Sequence, residues 1–403
     1  MAHERVRYLR PILEKTLGMS PLVGILGHRQ VGKTTLLNQI CTKYYVLDTK
    51  EVQREAEDDP KGFLKRRAGH WVALDECQTA PSLFPELKEW VRKKKVPGQF
   101  LLSGSVRFTS REAIREALTG RIAYFDLLPM SVSELLEKPL PDFCVRALEA
   151  PELANLATPV LSSRELKSNS TQILTSMHRG GLPGVCFIRD DKLRSQKIED
   201  QLRTILDRDL RLVKQILVPY SDIRDTIRAL AKMQGEPLDF SALKRDTGLS
   251  VPTLKKLLFA FEAVFLLRLI RIEGSTMGHT IYFEDQAEWA HLAEAEPKPS
   301  ARLAHFCFAD LRAQFEYRLG SPTRVFQYRT RSGAFIPVCF ANAQGTLGIL
   351  PTPHPDEPQR HSGSIRSFLS AYPNSKVLLL HLESLPMQRL NSRTLVLPAA
   401  AVV

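Results

Sequence analysis

The sequence predicts an α/β fold centred on a parallel sheet sandwiched by helices. Three observations predict it. An apolar run over 22–26 ends in a glycine-rich loop and then a helical pattern. A second apolar run ends in two adjacent carboxylates, Asp75 and Glu76. Further short apolar runs over 44–48, 99–105 and 122–127 alternate with helical spacing, the rhythm of βαβ units.

The first run, Leu22-Val23-Gly24-Ile25-Leu26, has no polar side chain, as a strand buried on both faces requires. Gly27-His28-Arg29-Gln30-Val31-Gly32-Lys33-Thr34 follows at once and is a complete G-x-x-x-x-G-K-T loop. Thr35-Leu36-Leu37-Asn38-Gln39-Ile40 then continues as a helix. Strand, loop and helix stand in the order that a P-loop requires. Gly27 and Gly32 let the backbone curl so that successive N–H groups face phosphate oxygens, and the helix adds its positive end. Lys33 is expected on the β and γ phosphates and Thr34 on Mg²⁺. The expected nucleotide-binding set is Gly27, Gln30, Val31, Gly32, Lys33, Thr34 and Thr35, with ATP and Mg²⁺ as the cofactors.

The second run, His70-Trp71-Val72-Ala73-Leu74-Asp75-Glu76, brings its carboxylates to a strand's carboxyl end, where ligands of open α/β sheets collect. Asp75 is expected to hold Mg²⁺ and Glu76 to act as general base on water. A strand over 44–48 separates the P-loop from this acidic strand. By fold-level analogy, that arrangement belongs to the branch of P-loop proteins carrying a catalytic glutamate. The run 99–105 ends in hydroxyls. Ser103 or Ser105 could sense the γ-phosphate or orient water; Ser105 is taken as the catalytic candidate, beside the plain reading of a Ser-Gly turn. A helix over 111–118 ends at Gly120, and Arg121 precedes the strand 122–127. Arg121 is placed to reach a neighbouring subunit's nucleotide as an arginine finger, with an ion pair inside the subunit as the alternative. Arg107 is a weaker candidate for that role.

The bulk numbers fit this reading. A chain of 403 residues with 43% hydrophobic and 25% charged residues can bury a sizeable core and predicts two to three domains. The net charge of +12 leans towards an anionic partner, DNA foremost, although many proteins are basic without a specific reason. The densest basic run, Arg92-Lys93-Lys94-Lys95, reads as a solvated helix end. Six cysteines, none in a C-x-x-C pair, predict neither zinc ribbon nor disulfide framework and suit the cytoplasm. Met1-Ala2-His3-Glu4-Arg5 opens no apolar signal segment, and the most apolar stretch, 257–270, carries Glu262 and Arg268, so no membrane partner is expected.

Beyond residue 136, apolar residues at Ile198, Leu202, Ile205, Leu206, Leu210 and Val213 form a helical stripe, opposite a face rich in Arg and Lys. Residues 240–250 read as a short helix and a glycine turn. Ser250 then caps a longer helix with Pro252 in its first turn, completing a helix-turn-helix pattern. Lys255 and Lys256 lie on the second helix. Apolar runs over 266–272 and 280–283 would make a two-stranded wing. Packing of this winged helix against another domain is the alternative to reading DNA.

Several of these segments resemble one family. Gly27 through Leu37, Leu74-Asp75-Glu76-Cys77-Gln78, Phe100-Leu101-Leu102-Ser103-Gly104-Ser105, Leu118-Thr119-Gly120-Arg121 and Leu128-Pro129-Met130-Ser131-Val132-Ser133-Glu134-Leu135 carry the likeness. They resemble the AAA-type ATPases of bacteria and archaea whose C-terminal half is a conserved domain of unknown function. Gly180-Gly181-Leu182-Pro183 resembles that family's lid motif. The likeness is strong over the first 135 residues and thinner afterwards. His28 departs from it, standing where the family commonly has proline, and reads as a solvated loop histidine. The resemblance implies a helical lid over the nucleotide and a final portion with a restriction-endonuclease-type fold. Tyr328-Arg329-Thr330-Arg331-Ser332-Gly333 matches the approach to a nuclease metal site, but Phe335-Ile336-Pro337-Val338 stands where acidic ligands belong. Nuclease chemistry is therefore not expected. His354, Asp356 and Glu357 read as a solvated loop, and Lys61-Gly62-Phe63 as a pore loop or surface turn.

The resulting scheme has four parts: 1–136, P-loop AAA-type core; 137–215, helical lid; 216–290, winged helix; 291–403, degenerate nuclease-like α/β domain. The expected function is ATP hydrolysis by a homo-oligomer, such as a hexamer, acting as a motor or switch on DNA, with branched DNA as a refinement. The alternative is an ATP-dependent signalling or scaffold switch with a protein partner.

Overall fold

A computed structural model of the chain describes residues 5–107, 120, 122–157, 161–213, 216–275, 278–318, 322–352, 358–383 and 385–403. The expected helix over 111–118, Arg121 and the residues His354, Asp356 and Glu357 lie outside the described residues.

Strands β1 (Leu22–Leu26), β2 (Lys43–Val46), β3 (Val72–Asp75), β4 (Phe100–Gly104) and β5 (Ala123–Asp126) form one sheet in the order β2-β3-β4-β1-β5. Every pairing in it is parallel. The three inner strands are buried at every residue, which is why they read as apolar runs without alternation. Their side chains still divide between two cores by the period of two. Val23 and Ile25 face helices Leu9–Leu17 and Lys33–Ile40, while Leu22 and Leu26 face Phe63, Leu64, Phe84 and Leu87. The register levels the strand ends: Leu26 lies opposite Gly104 and Asp126, and Val46 opposite Asp75. Whatever follows each strand therefore emerges along one edge.

Phe63 corrects the reading of Lys61-Gly62-Phe63. The segment lies in helix Pro60–Arg67, capped by the Asp59 carboxylate, which accepts from Gly62 N. Phe63 is fully buried in the sheet's core, so its ring is not available to a pore.

The C-terminal half is built on a second sheet. Strands β6 (Leu267–Glu273), β7 (Gly278–Phe283), β8 (Arg324–Arg329), β9 (Phe335–Ala341), β10 (Thr346–Pro351), β11 (Ser375–His381), β12 (Gln388–Asn391) and β13 (Thr394–Pro398) run in the order β12-β13-β11-β10-β9-β8-β6-β7. The hairpin β6–β7, expected as a wing, is a continuation of this sheet, because β6 pairs in parallel with β8. The segment expected as a lid, 137–215, divides between two cores. Helices Phe143–Glu149 and Ser163–Arg179 pack with the second sheet through Phe143, Leu148, Ile173 and Met177. Helix Asp191–Thr204 and the turns after it pack with the P-loop core and the helices 220–263. All six residues of the expected apolar stripe, Ile198 to Val213, are buried there.

A chain of half-buried and buried charges joins the halves. Asp126, at the end of β5, meets Arg107 at 3.0 Å and Arg268 at 2.9 Å. Arg268 also meets Glu284 at 3.1 Å, and Glu284 binds the fully buried Arg312. Burial opposes ionisation of Glu284, but Arg312 and Arg268 outweigh it and hold its carboxyl well below the usual range. Glu284→Gln would take the shared carboxylate from Arg268 and the buried Arg312, leaving them only Asp126 and Glu316. It is expected to destabilise the chain by about 3–5 kcal/mol, read as a lowered urea midpoint; an unchanged midpoint would refute the network's structural weight.

Candidate active site

The sheet's carboxyl edge gathers the P-loop, Asp75, Glu76, Ser103 and Ser105. A Cβ on Gly27 would stand 2.6 Å from the Leu127 carbonyl, so the chain can turn there only with glycine. Gly32 caps helix Lys33–Ile40 at φ 101°, a left-handed conformation that glycine adopts freely. Gln30 takes φ 62° without that freedom. Val31 is buried, and its carbonyl accepts from Arg7 Nη1 at 2.8 Å. Arg7 also reaches the Leu128 carbonyl and Glu134, tying the loop to the segment after β5.

Lys33 is buried, and its Nζ donates to the carbonyls of Gly27 at 2.8 Å and His28 at 2.9 Å. Burial, the largest influence, lowers its pKa, against the pull of Glu76, Asp75 and Asp209. Thr34 and Thr35 are exposed at the head of the helix. Thr34 Oγ1 donates to Asp75 Oδ2 at 2.9 Å.

Asp75 is buried, and both its oxygens are engaged. Oδ2 accepts from Thr34 and from the Tyr44 hydroxyl; Oδ1 accepts from Ser103 and from Glu76 N. Burial and the Asp75 hydrogen bond push the Tyr44 phenol up, so it remains a donor. Glu76 stands in the left-handed region at φ 55°, a strained turn of the kind found at functional sites. Its Oε2 accepts from Ser105 Oγ at 3.0 Å and from Gln78 Nε2. Gln78 Nε2 lies 3.1 Å from Ser105 Oγ as well. The two serines left open by the sequence thus part company: Ser103 serves Asp75, and Ser105 serves Glu76.

Two expectations are corrected here. Arg107 is engaged inside the subunit, with Asp126 at 3.0 Å and the Phe265 ring at 4.2 Å, so it is not poised for a neighbour. His28 is not solvated. It is 1% exposed, with Nε2 3.0 Å from Glu288. Arg121 lies outside the described residues.

Sequence reasoning missed Arg7, Tyr44, Gln78, Asp209 and Glu288. Gln78 carried a signal, two residues beyond the acidic pair. Asp209 carried none. It lies in the π-helical turn Ile205–Asp209, is buried, and pairs with Arg29 of the P-loop at 3.2 Å. A π-turn widens the helix by one residue and often marks a functional site. The next residue back, Arg208, lies 3.5 Å from Asp48, just beyond β2. Residues 205–209 therefore straddle the same sheet edge.

The segment Gly180-Gly181-Leu182-Pro183 packs against the loop. Asp285 accepts from Gly181 N at 2.7 Å and Leu182 N at 3.2 Å. A Cβ on Gly181 would stand 2.5 Å from the Met130 carbonyl, and one on Gly184 would stand 2.4 Å from Gln30 Oε1.

The residues fit Mg²⁺. Thr34 and Asp75 offer hard oxygen donors beside the loop, and among the described residues no three His, Cys, Asp or Glu side chains form a metal cage. That is the donor set of an ion completed by water and phosphate oxygens. Among the described residues no helix is long and apolar enough to cross a membrane.

Comparison with known proteins agrees with this geometry. Residues 19–136 match the family model described as an AAA domain, and residues 170–280 match a domain of unknown function, DUF8612. An uncharacterised protein of Mycobacterium tuberculosis, Rv2008c, is 24% identical over 342 residues, covering 80% of this chain and 68% of its own. An uncharacterised protein of Mycobacterium bovis, Mb2031c, matches to the same extent. Among solved structures, a Walker-type ATPase of Pyrococcus abyssi has 15% identity and a TM-score of 0.40, covering 70% of this chain and 94% of that one. Thermotoga maritima RuvB has 17% identity and a TM-score of 0.31, covering 68% and 88%. Likeness at this level carries no assignment of function.

Proposed function

We propose that the chain, whose residues 19–136 match the model of the AAA domain, binds ATP with Mg²⁺ and hydrolyses it at the edge formed by Gly27–Thr34, Asp75 and Glu76. The observation that carries this reading is the placement of Glu76. Its carboxylate is held by Ser105 and Gln78 at the same sheet edge as the P-loop, beside an Asp75 already bonded to Thr34.

Each residue then has one task. The loop's N–H groups and Lys33 receive the phosphates, for which Lys33 must leave the carbonyls of Gly27 and His28. Thr34 and Asp75 would hold Mg²⁺, with Ser103 and Tyr44 fixing the Asp75 rotamer. The ion neutralises phosphate charge when bound. Glu76 accepts the proton of the attacking water, and Ser105 with Gln78 orients the carboxylate that does so. Arg121 remains the candidate for stabilising transferred charge from a neighbouring subunit of a homo-oligomer.

The larger role proposed is a DNA-dependent motor or switch. Helix Phe240–Thr247, a turn at Gly248 and helix Val251–Ala263 capped by Ser250 support the helix-turn-helix reading. Lys244, Arg245, Lys255 and Lys256 are exposed on it. With the +12 net charge they suit a phosphate backbone. Lys255→Glu with Lys256→Glu is expected to weaken duplex binding across sequences and to lower the salt slope by about 2. Filter binding at several salt concentrations checks this, and an unchanged slope would move the interface elsewhere. One observation favours the alternative, a switch with a protein partner: β6 is paired into the second sheet, so the hairpin is no free wing.

Steady-state hydrolysis without DNA and with single strand, duplex or a four-way junction tests the whole reading. Stimulation by one form supports the DNA role and names the substrate. Slow turnover that no DNA changes favours the protein partner. No turnover at all refutes the ATPase.

A further inference from the structure

We propose that His28 and Glu288 are positioning residues for ATP hydrolysis, through which the C-terminal half of the chain holds the phosphate loop in its binding conformation. This rests on the ATPase reading and goes beyond it by naming what sets the loop's shape.

The geometry at His28 leaves the ring little choice. Nδ1 lies 2.7 Å from the Arg29 carbonyl, and Nε2 lies 3.0 Å from Glu288 Oε2. Both neighbours are acceptors. A neutral imidazole would aim a lone pair at one of them, so the imidazolium, with two N–H groups, is the form that suits the pocket. Gln201 Nε2 approaches Nδ1 only to 3.4 Å but donates to Glu288 Oε1 at 2.8 Å, so it orients the carboxylate rather than the ring. Among the described residues neither His28 Nε2 nor Glu288 Oε2 has a hydrogen-bond partner, so each depends on the ion pair with the other, and both side chains are closed to solvent. Burial, the largest influence, lowers the His28 pKa. The Glu288 carboxylate, the Arg29 carbonyl and Asp285 together outweigh it, and the net shift is upward.

The pair reaches the chemistry through the backbone. The His28 carbonyl is one of the two on which Lys33 Nζ rests, so an anchored ring fixes that peptide. Glu288 lies on helix Gln286–Leu292, whose N-cap is Asp285. Asp285 holds the amides of Gly181 and Leu182, and the next residues, Pro183 and Gly184, lie against Gly32 and Gln30. One short helix therefore grips the loop twice, at residue 28 by side chain and at residues 30–32 through the segment 181–184. That helix follows β7, with Glu284 of the charge chain between them.

The test compares the full chain with His28→Gln, Glu288→Gln and the double variant. Affinity for a non-hydrolysable ATP analogue, kcat and the thermal midpoint are measured for each. Each single variant leaves a buried partner unsatisfied, so it is expected to lower the midpoint and to weaken nucleotide binding by about tenfold. The double variant removes both charges and should recover much of the midpoint without recovering affinity. That split distinguishes positioning from mere stability. A double variant that regains midpoint, affinity and kcat together overturns the proposal.

The pH profile is a second readout. The ring faces Glu288 and the Arg29 carbonyl, with the Asp285 carboxylate also acting on it. Its pKa is raised in the fold, so the imidazolium persists above the usual histidine range and is lost as pH rises through that raised value. Wild-type activity should therefore fall at lower pH on the alkaline side than that of His28→Gln, whose remaining alkaline limb belongs to Lys33, lowered by burial. The acid limb belongs to carboxylates, among them Asp285, which burial lifts to about 6. An identical alkaline limb in both proteins refutes the role of His28. Wild-type protein that binds no ATP would instead sink the ATPase reading itself.

Discussion

Glu76→Gln is expected to slow ATP hydrolysis by about 10²–10⁴-fold while leaving nucleotide affinity close to that of wild type. The amide oxygen of glutamine can still accept from Ser105 and Gln78, so the side chain keeps its place. It cannot take a proton from water. Removing a negative charge beside the phosphates should, if anything, tighten binding. Phosphate release measured with the binding of a fluorescent ATP analogue checks both halves of the expectation. Equal turnover in variant and wild type would show that another group is the base. Loss of binding together with turnover would show that Glu76 holds the site's shape.

Lys33→Ala is expected to weaken ATP binding by about a hundredfold or more, with turnover lost as a consequence. A charge-assisted hydrogen bond contributes about 1.5–3 kcal/mol, and Lys33 can offer more than one to the β and γ phosphates. The variant also leaves the carbonyls of Gly27 and His28 without the donor that now bridges them. The loop's other supports remain: Arg7 on Val31 and Glu288 on His28. Circular dichroism should show an intact fold, and titration calorimetry should show the lost affinity. Binding that survives the substitution would mean that the phosphates are held elsewhere.

The core that carries the P-loop was legible because its signals are local. The P-loop has fixed spacing within eight residues, and a buried parallel strand declares itself by an unbroken apolar run. Those runs placed all five strands of the first sheet, and the parallel register then set Asp75 and Glu76 beside the loop. The apolar stripe from Ile198 to Val213 was legible for the same reason, since helical periodicity is written every three or four residues. The capping of Ser250 and the turn at Gly248 were equally local.

What was not legible depended on contacts distant in sequence. Ser103 and Ser105 look alike as a Ser-Gly-Ser turn. The period of two puts residues two apart on the same side, so they separate only by their level at the strand's exit, Ser103 beside Asp75 and Ser105 beside Glu76. His28 read as solvated because a loop residue ordinarily is. Its partner lies 260 residues away, and no pattern near either residue announces the pair. Arg29 and Asp209, 180 residues apart, are a second case. The helices 143–149 and 163–179 read as part of a lid because helical spacing says that an apolar face will be buried but not against what.

By itself, then, the sequence determined the glycine-rich loop, the acidic strand end, the order of the core's elements and the two helices joined at Gly248. Each depends on residue types within one turn or one strand, where backbone geometry alone relates the positions. The tertiary structure decided which hydroxyl serves which carboxylate, that the hairpin β6–β7 extends the second sheet, and that the C-terminal half grips the P-loop through Glu288 and Asp285. Burial of charge makes that last contact selective. Once His28 and Glu288 are both removed from water, each is costly without the other, and only the packed chain brings them together.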